Sequence, residues 1–589
     1  VKIANSLMIL ALTISLTACS VNQNKHDNEQ EHSEADKQLQ QLIDDEQEYQ
    51  DSLNPFKKDS EKLYYDVSPQ ALKSQYQENI ALRDRLAAID SDALSLDNRI
   101  NQTILLYKLN NDIDNYRFKE HYIPLTAEAG FHAYLPYMVD RSAFKTVEDY
   151  QLYLQRLNYM PTYFDQQMYW MKLGLETGRT QPQVVLKGFE DSISAFIVDD
   201  AAHSPFYRPF KQFPDHFDKS TRERLQADAE KTITEVMNPT YQEFYDFMVG
   251  EYIPNARKNI AATSLPDGDA FYQNRIEYYT TLNLTAEQIH QIGLEEVARI
   301  RAEMEAIIES VKFDGDFAQF VDFLRTDPQF YATSAEELLK EASYIAKKMD
   351  AQLPALFKTL PRTPYGVVPV PASIAPKYTT GRYSGPSRDD QPGEYWVNTY
   401  ALDRRPLYVL EALTLHEAVP GHHLQGSIAR EMENVPSFRQ QTYISAFGEG
   451  WGLYSEYLGI EAGFYQDPYS DFGRLTYEMW RAARLVVDTG MHSMGWSRDK
   501  AMDFLASNTA LSLHNVRTEI DRYISWPAQA LSYKLGEIKI KELRTKAENE
   551  LGADFDIREF HDEVLKNGSV PLSLLEELID EYIVSKKIN

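Results

Sequence analysis

One cysteine, Cys19, stands in a chain of 589 residues, so no disulfide can form within the chain and stability has to come from packing. Basic residues are also in short supply, since 60 Lys and Arg against 89 Asp and Glu give a formal charge of −29. Such a surface repels phosphate backbones and anionic lipid, which counts against nucleic acid as a partner, although a solvated acidic surface also simply keeps a protein soluble. The chain has no internal repeat, and its one marked apolar run ends at Leu16. What remains is ordinary globular material, 43% hydrophobic and 25% charged, but longer than one compact core usually supports. Two lobes with a cleft between them are expected. The 38 Tyr and 27 Phe point to aromatic-rich cores or a lined channel.

The position of the cysteine is informative. Residues 1–18 carry Lys2, an apolar run from Leu7 to Leu16 and small residues before Cys19. This reads as a secretory signal peptide, too short and too interrupted by Ser and Thr to span a bilayer, so no transmembrane domain is expected in the mature protein. Leu16-Thr17-Ala18-Cys19 resembles the bacterial lipobox, which predicts a lipid on Cys19 and a periplasm-facing protein. Ser20, where an Asp would signal retention, favours the outer membrane. Residues 19–36 are polar and charged with almost no aliphatic side chains, and are expected to be a flexible tether.

A helical lobe is expected over residues 37–360. Thr285-x-x-Gln288 is a capping box followed by an apolar stripe at Ile300, Met304, Ile307, Ile308 and Val311, and Ser334-x-x-Glu337 opens another helix. Tyr153, Leu157, Met160, Phe164 and Met168 recur at steps of three and four as a core stripe. Near residue 360 the texture turns to Pro, Gly and β-formers. Glu394–Thr399 has strand composition, and a strand before a metal helix can pair with an extended peptide, with Asn398 as a substrate contact; it can equally be an ordinary sheet strand.

The densest chemistry lies in residues 411–425, EALTLHEAVPGHHLQ. In the zinc-protease pattern H-E-x-x-H, two His one turn apart share a helix face and bind one ion, while the Glu activates water. Here Ala418, Val419, Pro420 and Gly421 separate His416-Glu417 from His422 and His423. In an unbroken helix His422 would point about 120° away from His416. Pro420-Gly421 is where a helix can bulge and bring a histidine back, so the run reads as H-E-x-x-H with two residues inserted. One bulge of two residues selects His422 as the ligand and leaves His423 beside the site. Without such a bulge the segment is only a kinked helix with surface histidines. Glu449, in FGEGWGLYSEYLG, is the expected third ligand; its flanking glycines permit close helix approach, and Glu456 is either a rival ligand or an acceptor for a ligating His.

HEAVPGHHLQ, FGEGWGLYSEYLG, VVDTGMHSMGW and EIDRYISWPAQALSYKLG together closely resemble the bacterial family called domain of unknown function 885, from about residue 40 to the C-terminus. That family looks related to the thermolysin-like metallopeptidases, the gluzincins. GEGWGLYSEYL is similar to the aminopeptidase stretch N-E-G-F-A-x-Y-x-E, which maps its metal-binding Glu onto Glu449. Gluzincins place a later Tyr or His against the developing oxyanion, which makes Tyr533 the favoured candidate here, with His492 next and His514 and Tyr523 behind. Arg517, Arg522 and Tyr523 are candidates for gripping substrate, the arginines through a peptide carboxylate.

These readings converge on a mainly α fold, multi-helix lobes around a deep cleft, with a small β-sheet next to a zinc-protease-like helix in a metallopeptidase-like lobe over 361–589. The expected function is zinc-dependent hydrolysis of short peptides by a lipid-anchored protein, with Zn on His416, His422 and Glu449 and Glu417 as the base. The competing expectation is a non-catalytic periplasmic binding or folding-assistance lipoprotein on a degenerate peptidase scaffold.

Overall fold

The computed structural model describes residues 33–588 apart from 373, 374, 376, 377 and 389. The signal peptide, Cys19 and most of the tether lie outside the described residues. Residues 33–36, expected to belong to the tether, form the cap and first turn of the first described helix. Ser33 caps the helix Glu34–Leu53 in a reciprocal capping box with Asp36, and Asp36 also accepts bonds from the backbone and hydroxyl of Ser95 and from Asn98. A residue that is both cap partner and buried acceptor fixes the chain there, so order begins before position 37.

The architecture is mainly α-helical with one small mixed sheet. Local signals explain much of it. Thr285 and Gln288 form their capping box at the start of the helix Ala286–Ser310, and Ile300, Met304 and Ile308 of its stripe are buried while Ile307 and Val311 sit at the margin. The helix Val147–Thr177 runs through Pro161 and buries the predicted stripe from Tyr153 to Met168. One continuous buried cluster extends from Leu39 to Ile583, with members on both sides of position 360.

Two helix pairs build the frame of the site. Ala286–Ser310 lies along Pro468–His492, and Ser445–Glu461 lies along Ser532–Leu551. Buried charge ties these pairs together. Lys534, with 1% of its side chain exposed, reaches Glu296 at 2.9 Å, Glu478 at 2.8 Å and Glu537 at 2.6 Å. The ammonium thereby links one helix of the first pair to the other and both to its own helix, and desolvation makes each of those contacts stronger than it would be in water.

The sheet has the order β1-β3-β2, with β1 Tyr365–Pro369, β2 Gly381–Ser384 and β3 Gly393–Val397. β3 is parallel to β1 and antiparallel to β2. The predicted strand therefore exists, but it is central and both its edges are paired. An extended peptide cannot add to it. Among the described residues β2 pairs with a strand on one side only, and on its other side the Tyr383 N–H donates to Glu417 Oε2 at 2.8 Å.

Candidate metal centre

The helix Leu410–Glu417 stops at its glutamate. Ala418 leaves helical geometry at φ −94, ψ −107, the Val419-Pro420 bond is cis, and Gly421 caps a new helix, His422–Arg430. This corrects the expected bulge: the segment is two short helices joined end to end, and His422 is the first residue of the second. The joint is held by Gly421 N–H on the Leu415 carbonyl and His423 N–H on the Ala418 carbonyl, both at 3.0 Å, and by the Trp451 indole donating to the Pro420 carbonyl at 2.8 Å. A side chain at Gly421 would run into the His416 carbonyl. Glycine there is a packing necessity.

The third contributor comes from the helix Ser445–Glu461. At Gly452 a Cβ would stand 2.7 Å from the His416 ring, so the glycine seats the imidazole directly on the helix backbone. Gly450 does the same for Gly536 of Ser532–Leu551. With the ring seated, His416 Nδ1 meets Glu456 at 2.8 Å, which turns Nε2 toward Glu449. A carboxylate on the far nitrogen of a metal-ligating histidine fixes its tautomer and raises its basicity, so Glu456 is the supporting acceptor.

Three ligand atoms meet at one point. Glu449 Oε2 stands 3.6 Å from His416 Nε2 and 3.4 Å from His422 Nε2, and the ligand atoms of all three residues lie within 4.8 Å of one another. In a tetrahedral zinc site with bonds of about 2.1 Å, ligand atoms are separated by about 3.4 Å. The donor set, two imidazoles and one carboxylate with one direction left free, fits a divalent cation of the zinc type. The electrostatics agree. Burial opposes charge on His416, yet Glu449 and Glu456 push its pKa up to about 10. Burial likewise opposes charge on Glu449, while His416 and His422 hold its carboxyl well below the usual range. The pocket stabilises positive charge at its centre.

His423 is elsewhere. Its ring packs on Tyr365 with centroids 4.5 Å apart and Nδ1 meets the Tyr383 hydroxyl at 3.2 Å, and burial pushes its pKa down to about 4. Glu417, one residue from His416, faces β2. Tyr533 lies under the Arg484 guanidinium at 4.2 Å. Sequence reasoning missed two neighbours. Tyr443 packs on Gly448, and its phenol is pushed up by burial of its hydroxyl end and by the nearby Glu449, Tyr533 and Glu417. Arg382, on β2, lies close enough to Glu417 and Tyr533 to feel both. The glycine at 448 was the only sequence signal for Tyr443, and nothing marked Arg382.

Several predicted contacts are structural. Asn398 is fully buried, its amide donating to the carbonyls of Ala375, Tyr378 and Thr379; it closes the loop before β2. His492 has both ring nitrogens bonded to backbone, Nδ1 accepting from Ala262 N–H and Nε2 meeting the Tyr523 carbonyl, so it has no proton or lone pair for an oxyanion. Tyr523 donates to Glu519 at 2.6 Å and accepts from Arg484 and Trp480. Arg517 is exposed on the helix Leu513–Ser525 and forms no ion pair among the described residues. Asp488, one turn before His492 in the same helix, accepts from the Tyr272 hydroxyl and the Ala528 N–H. Burial pushes this carboxyl from 3.8 up to about 7. Because the folded value is the higher one, its contribution to stability is complete below about 3.8 and is lost as pH rises through about 7. Asp488→Asn is expected to flatten this part of the profile of urea midpoint against pH; an unchanged slope between pH ~4 and ~7 would contradict it.

The model of the bacterial proteins of unknown function called DUF885 matches residues 50–579. The chain belongs to the DUF885 family. Two solved structures extend the comparison to the fold. One, described as a lipoprotein from Colwellia psychrerythraea, is 28% identical, with a TM-score of 0.86 over 94% of this chain and 100% of that one. Another, described as a lipoprotein of unknown function from Shewanella oneidensis, is 15% identical, with a TM-score of 0.71 over 92% and 99%. No curated protein matches. No helix of this DUF885 protein, among the described residues, is long and apolar enough to cross a membrane.

Proposed function

We propose that the protein is a zinc-dependent peptidase of short peptides, lipid-anchored through Cys19 and facing the periplasm from the outer membrane. The observation that carries the reading is the convergence of His416, His422 and Glu449 at ligand spacing with Glu417 next to the first of them. A zinc ion there would supply Lewis acidity, polarising a carbonyl and easing deprotonation of water. The protein's own part is then general-base chemistry: Glu417 takes the proton of the attacking water and returns it to the departing amine. In this reading the Tyr533 phenol donates to the developing oxyanion, and Tyr443, whose phenol is pushed up by its surroundings and so keeps its proton, borders the same space. Main-chain recognition comes from β2, whose outer edge meets Glu417.

Short unmodified peptides incubated with zinc-loaded protein should be cleaved, chelator should stop the reaction and zinc should restore it. Binding without cleavage would instead favour a peptide-binding lipoprotein. The two adjacent histidines provide a finer test. His422→Ala should weaken zinc in a calorimetric titration by more than the roughly 10–100-fold typical of losing an outer partner, and His423→Ala should spare it. The reverse order would move the ligand to His423. For the anchor, Cys19→Ala should release the protein from the membrane fraction, and unchanged fractionation would count against lipidation.

A further inference from the structure

We propose that the substrate is gripped by its free C-terminal carboxylate, received by Arg382, Arg522 and Arg484 around Tyr533, so that peptides are shortened from the C-terminal end. This rests on the peptidase reading above and narrows it to a substrate class.

In a chain of charge −29, three guanidinium groups gather around Tyr533. Arg484, with 3% of its side chain exposed, gives one nitrogen to Glu519 at 3.1 Å and Nε to the Tyr523 hydroxyl at 2.7 Å. Its remaining nitrogen, Nη1, is buried without a partner. Arg522 shares the same carboxylate, meeting Glu519 at 3.3 Å, and its other nitrogen donates to Gln529 at 2.6 Å. Gln529 in turn reaches Ser445, the first residue of the Glu449 helix, so this guanidinium is positioned relative to the metal ligands. The two arginines share one carboxylate, with Glu128 also near Arg522. Arg382 adds a third guanidinium: it lies on β2, hydrogen-bonds Tyr378 and forms no ion pair among the described residues, and Glu417 and Tyr533 are close enough to act on its charge. Tyr134 and Glu128 come close to this cluster from the N-terminal part of the chain.

Such a cluster recognises a planar anion, because the guanidinium fork matches carboxylate geometry. The anion common to all short peptides, whatever their sequence, is the terminal carboxylate. With it held beyond Tyr533 and the scissile carbonyl facing Glu417 and the ligand group, the pieces released are short C-terminal ones.

The test compares one short peptide as free acid and as C-terminal amide. The native protein should cleave the acid with kcat/KM at least about 10-fold above the amide, the scale of a lost bond to a charged group. Arg382→Gln should abolish most of that preference, read as the ratio of kcat/KM for acid and amide, and Arg382→Lys should keep part of it. Because Arg382 is exposed on an edge strand, neither change should impair folding. The binding readout uses zinc-loaded Glu417→Gln protein in calorimetry, where the acid should again bind tighter than the amide. Equal cleavage and equal binding of the two peptides would overturn the proposal and leave the peptidase reading standing. Absence of all cleavage would overturn the peptidase reading, and the calorimetric comparison would still decide whether the carboxylate is recognised.

Discussion

Replacing Glu417 with Gln is expected to lower peptide hydrolysis by about 10²–10⁴-fold, the range for loss of a general base, while zinc remains bound. The reason lies in the geometry. Glu417 is not among the three residues whose ligand atoms meet, and it accepts a hydrogen bond from the Tyr383 N–H at 2.8 Å, which a Gln carbonyl oxygen can still accept. The substitution keeps size and contact and removes only proton affinity. Single-turnover rates beside metal content by atomic absorption check both halves of the expectation. Near-native hydrolysis by this variant would move the base to another residue; loss of metal would make Glu417 a ligand.

Lys534→Met should cost about 3 kcal/mol or more of stability, read from urea unfolding. Its ammonium is enclosed by Glu296, Glu478 and Glu537, and the substitution leaves the last two carboxylates, with 9% and 2% of their side chains exposed, short of a partner. Glu478 keeps Arg299 and Arg474, and Glu537 keeps Lys541, which argues for the lower end of the range for a broken buried pair. A loss below about 1 kcal/mol would mean that those remaining cations already neutralise the carboxylates.

The local parts of this molecule were readable in the sequence. Capping at Thr285 and the stripe from Ile300 depend only on residues a turn apart, and His416, His422 and Glu449 were identified because ligand chemistry restricts residue type. What was not readable depends on contacts distant along the chain. The strand Gly393–Val397 was recognisable by composition, yet its central place comes from pairing with β1 and β2, which no local pattern encodes. His492 looked available because nothing nearby in sequence occupies its ring; the residues that do are Ala262, 230 positions away, and Tyr523, 31 positions away. The break after Glu417 followed from Pro420 and Gly421, but its form as two separate helices depends on Trp451 reaching back to the Pro420 carbonyl. Tyr443 and Arg382 were invisible because tyrosine and arginine have many uses, and only their positions reveal this one.

The claim on which the rest depends is that His416, His422 and Glu449 hold one metal ion. Zinc titrated calorimetrically into chelator-stripped protein should bind at one site per chain, and Glu449→Ala should abolish that site while the circular dichroism of the fold is retained. Saturable zinc binding that persists unchanged in Glu449→Ala, or no binding to the native protein, would contradict it.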